Sequence, residues 1–226
     1  KITLELSLLG LILALVIGLI ACFAKISRRS WLSMPATVYT TVLRGIPDLV
    51  QLFLIFYGLQ RLLLIFRKTD PARFLGLQDL ALNNFSTAVI TIGLMFGAYM
   101  AETFRGAYLA IPKGQIEAAK AYGLSPWQIF RRISFPQMLR YALPGISNNW
   151  LVLMKTTALV SLVQVDDLTK VIKEAATSNP MIKSDFVLRL AMYMIGALGY
   201  LFFTTISLMI VFALKRHFSK GFVTVS

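Results

Sequence analysis

The chain has 226 residues, of which 57% are hydrophobic and only 15% are charged. Soluble domains carry roughly 25% charged residues, and a soluble core of this length cannot hide so much apolar surface, so an ordinary soluble domain is excluded. The formal net charge of +13 fits either nucleic-acid binding or basic loops that orient membrane helices. Because the basic residues cluster beside apolar runs, as the positive-inside rule expects, the membrane interpretation is favoured.

Five apolar segments predict an all-α, polytopic membrane protein with a single transmembrane domain over residues 1–226. A span needs about 20 apolar residues, and the predicted spans cover residues 4–24, 46–66, 85–107, 146–165 and 187–214. The first run is longer than a signal-peptide core and lacks a convincing cleavage site, so we expect it to be retained. Residues 31–43 fit either an interfacial helix or the lower half of a helix kinked near Pro47. Pro144-Gly145 is expected to break the chain before the fourth span.

The loops on the two sides of the predicted spans differ in basic residues. The richer set comprises residues 25–45, residues 108–145 and the C-terminal tail with Lys215, Arg216 and Lys220. The opposite set holds Lys68, Arg73, Lys170, Lys173 and Lys183. The positive-inside rule therefore places the richer set in the cytoplasm. The N-terminus is then expected outside and the C-terminus inside.

Sequence motifs for catalysis and for metal binding are missing. The chain contains no GxxxxGK[ST], HExxH or GxSxG motif, and its sole histidine, His217, follows the last span. The sole cysteine, Cys22, excludes an intrachain disulfide and a cysteine-based metal site. We therefore predict no catalytic residue, no metal site and no enzyme activity in this chain.

Residues 110–140 form a polar loop with the signals of two short helices. The stretch "KGQIEAAKAYG" is rich in helix formers and ends at Gly123, a natural helix C-terminus. Ser125, Pro126 and Gln128 then predict a new helix start with a capping box. Pro136 is expected to end this second helix. A loop of this length with so many ordered signals is expected to be functional.

The first of these helices carries small residues at Ala118, Ala119 and Ala121 around Glu117. Small side chains allow another backbone to approach closely, which suits docking on a partner protein. An amphipathic helix lying on the inner leaflet is the alternative, and the neighbouring pair "RR" at residues 131–132 suits it. These residues alone favour neither interpretation.

The loop also resembles a known signature. EAA at residues 117–119, Gly123 three residues later and "ISFP" at residues 133–136 resemble the EAA signature of ABC importer permeases, written EAA-x3-G-x9-I-x-L-P. Phe135 stands where leucine is commoner. The stretches "VLRGIPDLVQLFLIFYG", "GAYMAETFRGAYLAIPKGQIEAA" and "RYALPGISNNWLVLMKTTALVSLV" resemble the polar amino acid, or histidine, permease family over about residues 4–216.

This resemblance implies a type I ABC importer permease in a bacterial cytoplasmic (inner) membrane. The family's permeases carry no ATPase, so ATP and Mg would be held by two copies of a separate ATP-binding subunit. The expected partners also include a second homologous permease, as a heterodimer, and a periplasmic or surface-tethered solute-binding protein. By analogy with the family, the ATPase coupling residues are Glu117, Ala118, Ala119, Tyr122 and Gly123.

The branch resembled implies import of histidine, arginine, lysine, ornithine or an opine. A permease for neutral or acidic polar amino acids, and an ATP-independent transporter or channel, are the alternatives. A transporter or channel of that second kind would not need the EAA loop. The residues of the chain do not separate the candidate amino acids.

Polar residues within the spans are costly and are candidates for the substrate path. The set comprises Asp48, Glu102, Asn149, Lys155, Thr157, Ser161 and Asp167. Glu102 is expected to pair with Arg105, with Lys155 or with a cationic substrate group. Asp48 also fits a helix cap, and Asp167 fits an attractive charge for a cation or a solvated side chain. The hydroxyl and amide groups of the set suit either the path or contacts between helices.

Overall fold

The computed structural model describes residues 1–68, 82–178 and 180–219, and throughout these ranges every regular element is a helix. Arg73 and Lys220, which enter the charge comparison above, lie outside the described residues. The helices are α1 (Ile2–Ile26), α2 (Ser30–Gly45), α3 (Asp48–Arg67), α4 (Asn84–Leu109), α5 (Lys113–Ala121), α6 (Pro126–Ile129), α7 (Phe135–Thr156), α8 (Leu168–Ser178), α9 (Pro180–Ser184) and α10 (Phe186–Ser219). The predicted all-α class is confirmed.

Helices α1 and α4 form the closely packed centre of the molecule and run parallel. A Cβ atom added at Gly10 would lie 2.9 Å from Ile92 Cγ2, and one added at Gly18 would lie 2.5 Å from Met100 Cβ. Both glycines are buried in α1. Glycine is needed at these two positions because the helices approach more closely than any side chain would allow.

Helix α2 is a separate helix that packs on both central helices. The Tyr39 hydroxyl donates a hydrogen bond of 2.6 Å to the Leu94 carbonyl of α4. After α2 the backbone is extended at Ile46, as expected for a residue before proline. Pro47 is the N-cap of α3. Residues 31–43 are therefore a helix packed against the protein, separated from the next span by the break at Pro47.

Two of the breaks predicted from the sequence, at Pro136 and at Pro144, are wrong, because α7 continues through both residues. A π-helical turn, Phe130–Ser134, leads directly into it, and Pro136 lies in its first turn instead of ending a helix. The turn accommodates Pro136, which has no N–H to donate, while the Phe135 N–H donates to the Phe130 carbonyl in an i to i−5 bond. Pro144 lies inside α7 without interrupting it, since proline is tolerated where neighbouring groups satisfy the freed backbone.

The predicted fourth span has different bounds in the structure. Residues 146–165 comprise the second half of α7, which ends at Thr156, and a 3-10 segment, Thr157–Val163. The ring of Phe130 lies 5.4 Å from that of Phe23 at one end of α1. The Leu168 N–H donates to Thr3 Oγ1 at the other end, at 3.0 Å. Residues 130–168 thus follow α1 over about 30 Å. This distance equals the thickness of the hydrocarbon core of a bilayer.

Four helices among the described residues are long and apolar enough to cross a membrane: α1, α3, α4 and Phe186–Val211 of α10. Helix α7 has 22 residues but is not among them, because Arg140, Asn149 and Lys155 make it more polar. Together with the 3-10 segment, α7 nevertheless extends along α1 over about 30 Å. The protein is therefore polytopic, and the predicted fourth span at residues 146–165 corresponds to the second half of α7 and the 3-10 segment.

Candidate functional site

The coupling segment, which we define as residues 110–140, begins with α5 and a tight turn. Gly123 has a φ of 75°, in the left-handed region that glycine adopts without strain. Its N–H donates to the Lys120 carbonyl at 2.9 Å, and the Leu124 N–H donates to the Ala119 carbonyl at 3.1 Å. These two bonds form a Schellman motif, which confirms the predicted helix end at Gly123.

The next helix starts with the predicted capping box. Ser125 Oγ accepts a hydrogen bond of 3.3 Å from the Gln128 N–H, and Gln128 Oε1 accepts one of 2.8 Å from the Ser125 N–H. Pro126 occupies the first turn, where its missing N–H has no consequence. The end of α5 and the start of α6 are thereby both capped by hydrogen bonds within the segment.

The exposed face of α5 differs from the predicted small-residue surface in one residue. Ala119 is 4% exposed and faces inward with the half-buried Ile116, because residues three apart share a helix face. The exposed side chains include Glu117, Ala118 and Ala121, the basic Lys113 and Lys120, and Tyr122 just after the helix. Tyr122 is 86% exposed. The exposed surface of α5 therefore combines one carboxylate, two small residues and two lysines beside the exposed ring of Tyr122.

An aromatic cluster, Phe23, Trp127, Phe130 and Phe135, joins the coupling segment to α1. The ring of Phe130 has centroid distances of 5.4 Å to Phe23, 5.7 Å to Trp127 and 5.6 Å to Phe135. Aromatic pairs at such distances are favourable beyond the area they bury. Sequence reasoning missed this cluster, since Phe23 belongs to an apolar run that gives no sign of its neighbour.

A polar contact provides a second connection. Gln137 Nε2 of α7 donates a hydrogen bond of 2.5 Å to Gln115 Oε1 of α5. Helix α5 is thus held to α7, and the aromatic cluster holds the following turn to α1. A displacement of α5 would act on both crossing helices at once.

Glu102 lies in a network that joins three helices at the end of α1 nearest the coupling segment. It pairs with Lys25 of α1 and, at 3.6 Å, with Arg105 Nη1 one turn further along α4. Lys25 Nζ also donates to Thr40 Oγ1 of α2 at 2.7 Å. The predicted pair with Arg105 is confirmed. Pairing with Lys155 is wrong, because packing of α1 on α4 brings Lys25 to Glu102 and leaves Lys155 exposed at the end of α7.

Asp48 lies half-buried in the first turn of α3. A carboxylate is favoured there by the helix dipole, although α3 has no side-chain cap hydrogen bond. Asp48 approaches Tyr99 of α4, and Arg44 Cζ lies 5.9 Å from the centre of that ring. The junction between α2 and α3 thus gathers one cation, one anion and one phenol beside α4.

Asp167 is completely buried, so the alternative of a solvated side chain is wrong. Its Oδ2 accepts hydrogen bonds of 3.1 Å from the Thr169 N–H and from the Tyr200 hydroxyl. Its Oδ1 accepts one of 2.9 Å from the Lys170 N–H. The carboxylate therefore caps α8 and connects it to α10, because buried charge requires such partners.

The remaining polar candidates bond mainly within the protein. Asn149 Nδ2 of α7 donates to Thr103 Oγ1 of α4 at 3.0 Å. Thr157 Oγ1 donates to the Met154 carbonyl at 2.6 Å, and Ser161 Oγ donates to the Ala158 carbonyl at 2.8 Å. The geometry of Asn149 favours a contact between helices, whereas the two hydroxyls satisfy the 3-10 segment itself.

The seven path candidates do not form one site. Glu102 bonds to Lys25, near the end of α1, while Asp167 precedes the residue that bonds to Thr3, at its beginning. The intervening length of α1 is about 33 Å. Glu102 and Asp167 therefore cannot contact the same small molecule at the same time.

Comparisons with known proteins identify the family of the chain. The family described as "Binding-protein-dependent transport system inner membrane component" matches residues 9–222. The permease protein HisQ of the histidine/lysine/arginine/ornithine transport system of Salmonella typhimurium is 44% identical over 220 residues, covering 97% of this chain and 91% of HisQ. The arginine ABC transporter permease ArtQ of Haemophilus influenzae is 37% identical, covering 96% and 90%. The octopine transport permease OccQ of Rhizobium radiobacter is 34% identical, covering 91% and 82%.

Solved structures show the same fold. A chain from the crystal structure of an amino acid ABC transporter with histidines has a TM-score of 0.74 and 26% identity, covering 95% of this chain and 90% of that one. A chain of the inward-facing MetNI methionine ABC transporter has a TM-score of 0.71 at 16% identity, covering 97% and 94%, and supports the fold alone. The chain therefore belongs to the family of binding-protein-dependent transport system inner membrane components.

Proposed function

We propose that the chain is the permease subunit of an ATP-driven importer of basic amino acids, with opines as a related cargo. This proposal rests on the 44% identity to HisQ over 97% of the chain. ArtQ and OccQ, at 37% and 34% identity, also belong to systems whose names specify arginine or an arginine-derived compound. Cargo with a cationic group is common to all three relatives.

The coupling segment is the proposed docking surface for a separate ATPase, which would hold ATP and Mg. The exposed Glu117, Ala118 and Tyr122 would contact it, and Gly123 would set the geometry of the turn. The buried Ala119 would support this face from below. Two copies of the ATPase and a second, different permease are proposed to complete the complex, together with the solute-binding protein that the family's description requires.

Motion of the ATPase would pass through α5 to the crossing helices. The hydrogen bond between Gln115 and Gln137 leads to α7, and the aromatic cluster leads to α1. Rigid-body movement of such helices relative to a second permease would open the path alternately to each side. This arrangement requires the coupling segment, and hence the inner ends of α1 and α4, to face the cytoplasm. The N-terminus would then lie outside and the C-terminus inside.

Asp48 is proposed as the carboxylate that meets the cationic group of the cargo. Protein cations already pair with Glu102, and protein donors already surround Asp167. Asp48 is half-buried at the junction of two helices, where small movements would alter its access. Lys155, Asn149, Thr157 and Ser161 remain proposed as further members of the path.

The cargo is tested by reconstituting the whole complex in proteoliposomes with its binding protein. Uptake of labelled arginine, lysine, histidine and ornithine is compared with that of glutamate and glutamine. We expect ATP-dependent uptake of at least one of the four basic amino acids, and loss of that uptake in D48N. Uptake of glutamate or glutamine alone would overturn the proposed cargo, and equal uptake without ATP would overturn the proposed mechanism.

The coupling surface is tested by E117Q and G123A, with E174Q as the matched control. Glu174 is another exposed carboxylate, but it lies on α8, towards the opposite end of the molecule. We expect E117Q and G123A to reduce both ATP-dependent uptake and the amount of ATPase that copurifies, and E174Q to change neither. Normal uptake with normal ATPase content in both variants would show that the ATPase docks elsewhere.

A further inference from the structure

Helix α2 turns one apolar side away from the rest of the protein. The exposed apolar side chains on that side, which we call the α2 stripe, are those of Trp31, Met34, Pro35, Val38 and Val42. Their spacing places them on one face of the helix. Trp31 is 68% exposed and Met34 is 70% exposed. The opposite face of α2, which packs on the central helices, is buried at Ala36 and Thr40.

The first half of the α2 stripe borders an open concavity in the surface. Its volume is about 650 Å³, and its lining residues all belong to α2: Ser30, Trp31, Met34, Pro35, Val38 and Tyr39. The Tyr39 hydroxyl is already bonded to the Leu94 carbonyl, so its ring contributes apolar surface. The concavity therefore presents mainly hydrocarbon groups to a molecule that lies against the helix.

Helix α2 descends from the coupling-segment end of α1 towards the middle of the molecule. Ser30, its first residue, closely follows Ile26, the last residue of α1. A Cβ atom added at Gly97 would lie 2.8 Å from the Tyr39 hydroxyl and 2.7 Å from Ile17 Cγ2. Ile17 lies about 13 Å before the end of α1 at 1.5 Å per residue. In the orientation proposed above, the α2 stripe therefore runs from the cytoplasmic membrane surface into the inner leaflet.

The length of the α2 stripe matches one half of a bilayer. The distance from Trp31 to Val42 along the helix is about 16 Å. The hydrocarbon core of a bilayer is about 30 Å thick, so each leaflet contributes about 15 Å. Tryptophan side chains favour the level of the head groups. An acyl chain lying against the stripe would therefore extend from the head-group level at Trp31 to the middle of the membrane near Val42.

Two exposed arginines lie at the surface end of the α2 stripe. Arg28 and Arg29 immediately precede α2. Among the residues that the structure describes, no carboxylate pairs with either guanidinium, and residues 27–45 contain no aspartate or glutamate. Guanidinium groups bind phosphate through paired hydrogen bonds. Basic residues beside an apolar helix face at the cytoplasmic surface favour anionic lipids.

We propose that the α2 stripe binds an anionic phospholipid of the inner leaflet, with its phosphate at Arg28 and Arg29 and one acyl chain along Trp31, Met34 and Val38. The second permease is the competing occupant. A permease as basic as this chain, whose formal net charge is +13, would bring like charge towards the two arginines, whereas a phosphate neutralises them. This inference uses the proposed orientation but not the identity of the cargo.

The test measures quenching of Trp31 fluorescence by lipids with brominated acyl chains. The assembled complex is placed in nanodiscs of phosphatidylcholine with increasing brominated phosphatidylglycerol or, separately, brominated phosphatidylcholine. Subtraction of the signal of the W31F complex isolates the Trp31 signal. We expect half-maximal quenching at a several-fold lower fraction of brominated phosphatidylglycerol than of brominated phosphatidylcholine.

Three double variants examine the role of the two arginines. R28Q/R29Q should abolish the preference for phosphatidylglycerol, and R28K/R29K should retain part of it, because lysine keeps the charge but not the paired donors. R131Q/R132Q is the matched control. It removes the same charge from two adjacent exposed arginines of the π-helical turn, outside the lining of the concavity, and should retain the preference. Thermal unfolding of each complex checks that the fold is kept.

Three outcomes would overturn the proposal. Equal quenching by both lipids would show that the α2 stripe does not select the head group. Loss of the preference in R131Q/R132Q to the same extent as in R28Q/R29Q would show a general surface charge effect. No quenching by either lipid would show that a protein surface, such as the second permease, covers the stripe. Because no uptake is measured, these results are independent of which amino acid is transported.

Discussion

Helices α4 and α10 have apolar stretches of the same length but opposite positions in the molecule. Each stretch has 26 residues, and 67% of the apolar window of α4 is buried, against 11% of that of α10. Burial within a membrane is therefore not a consequence of apolar composition, because lipid is as apolar as a protein interior. Close packing depends instead on which side chains allow two helices to approach each other.

The residues along the two helices account for this difference. A Cβ atom added at Gly93 of α4 would lie 2.5 Å from Leu13, and one added at Gly97 would lie 2.7 Å from Ile17. Helix α10 instead presents large exposed side chains such as Phe202 and Met209, at 62% and 68% exposure. Helix α4 thus holds the fold together, while α10 keeps its surface available to lipid or to another chain.

The largest expected effect is a difference in stability between a substitution in α4 and a substitution in α10. Phe104 of α4 is 1% exposed and Phe202 of α10 is 62% exposed. F104A should lower the free energy of unfolding by about 3–5 kcal/mol because it leaves a cavity, and F202A should change it little in the isolated chain. Thermal unfolding of the two purified variants in detergent gives the comparison. Equal destabilisation would show that α10 is packed as tightly as α4.

The next effect concerns the close approach of α1 to α4. G18A would place a Cβ atom 2.5 Å from Met100 Cβ and 3.1 Å from the Ala101 backbone nitrogen, so the helices must separate. We expect a loss of about 1–3 kcal/mol, seen as a lower unfolding temperature. G58A is the matched control, because nothing lies within 4 Å of its added Cβ. A stable G18A variant would refute the close contact of the two helices.

A smaller loss of stability is expected when the hydrogen bond between α10 and Asp167 is removed. Y200F removes the hydroxyl that donates to the buried Asp167 and contacts Thr169. We expect a loss of about 1.5 kcal/mol, at the lower end for a hydrogen bond to a charged group, because Asp167 keeps its two backbone donors. Y200F should therefore lower the free energy of unfolding more than F202A does, although F202A removes the larger side-chain volume. The reverse order would show that α10 is held by its apolar surface.

The smallest expected effect concerns pH at the start of α8. The hydrogen bond of 2.5 Å from Lys170 Nζ to Asp166 Oδ1 raises the pKa of Lys170 above its usual value of 10.5. A raised lysine pKa contributes stability that is complete below the unfolded-state pKa and is lost as pH rises through the folded-state pKa. The contact should therefore weaken only in strongly alkaline solution.

This expectation is measured by NMR titration of labelled lysine side chains. D166N should return the pKa of Lys170 towards its usual range, and E174Q should lower it less, because Glu174 lies at 3.8 Å. An identical Lys170 titration in the parent chain and in D166N would contradict the assigned hydrogen bond.

Local signals in the sequence were sufficient to predict the helix ends within the coupling segment. Gly123 adopts its positive φ, and Ser125 with Gln128 forms the expected capping box, because both features depend on residues a few positions apart. The membrane class was equally accessible, since apolar runs of about 20 residues have few alternatives. The signature around Glu117 added the family.

Contacts between distant residues were not accessible in the same way. Sequence spacing indicated Arg105 as a partner of Glu102, but Lys25 lies 77 positions away from it and meets it only because α1 packs on α4. Pro136 and Pro144 indicated breaks, yet packing and a π-helical turn allow α7 to continue through both. The burial of Ala119 likewise depends on how α5 packs against the rest of the protein.

The sequence by itself determined that the chain is a helical membrane protein with an ordered coupling segment, because composition, caps and left-handed turns act over short distances. Only the tertiary structure decided which charges are already paired, which helix is central and that α7 continues through Pro136 and Pro144. These properties depend on the distances between whole helices, and such distances are set by the small residues at which α1 and α4 meet.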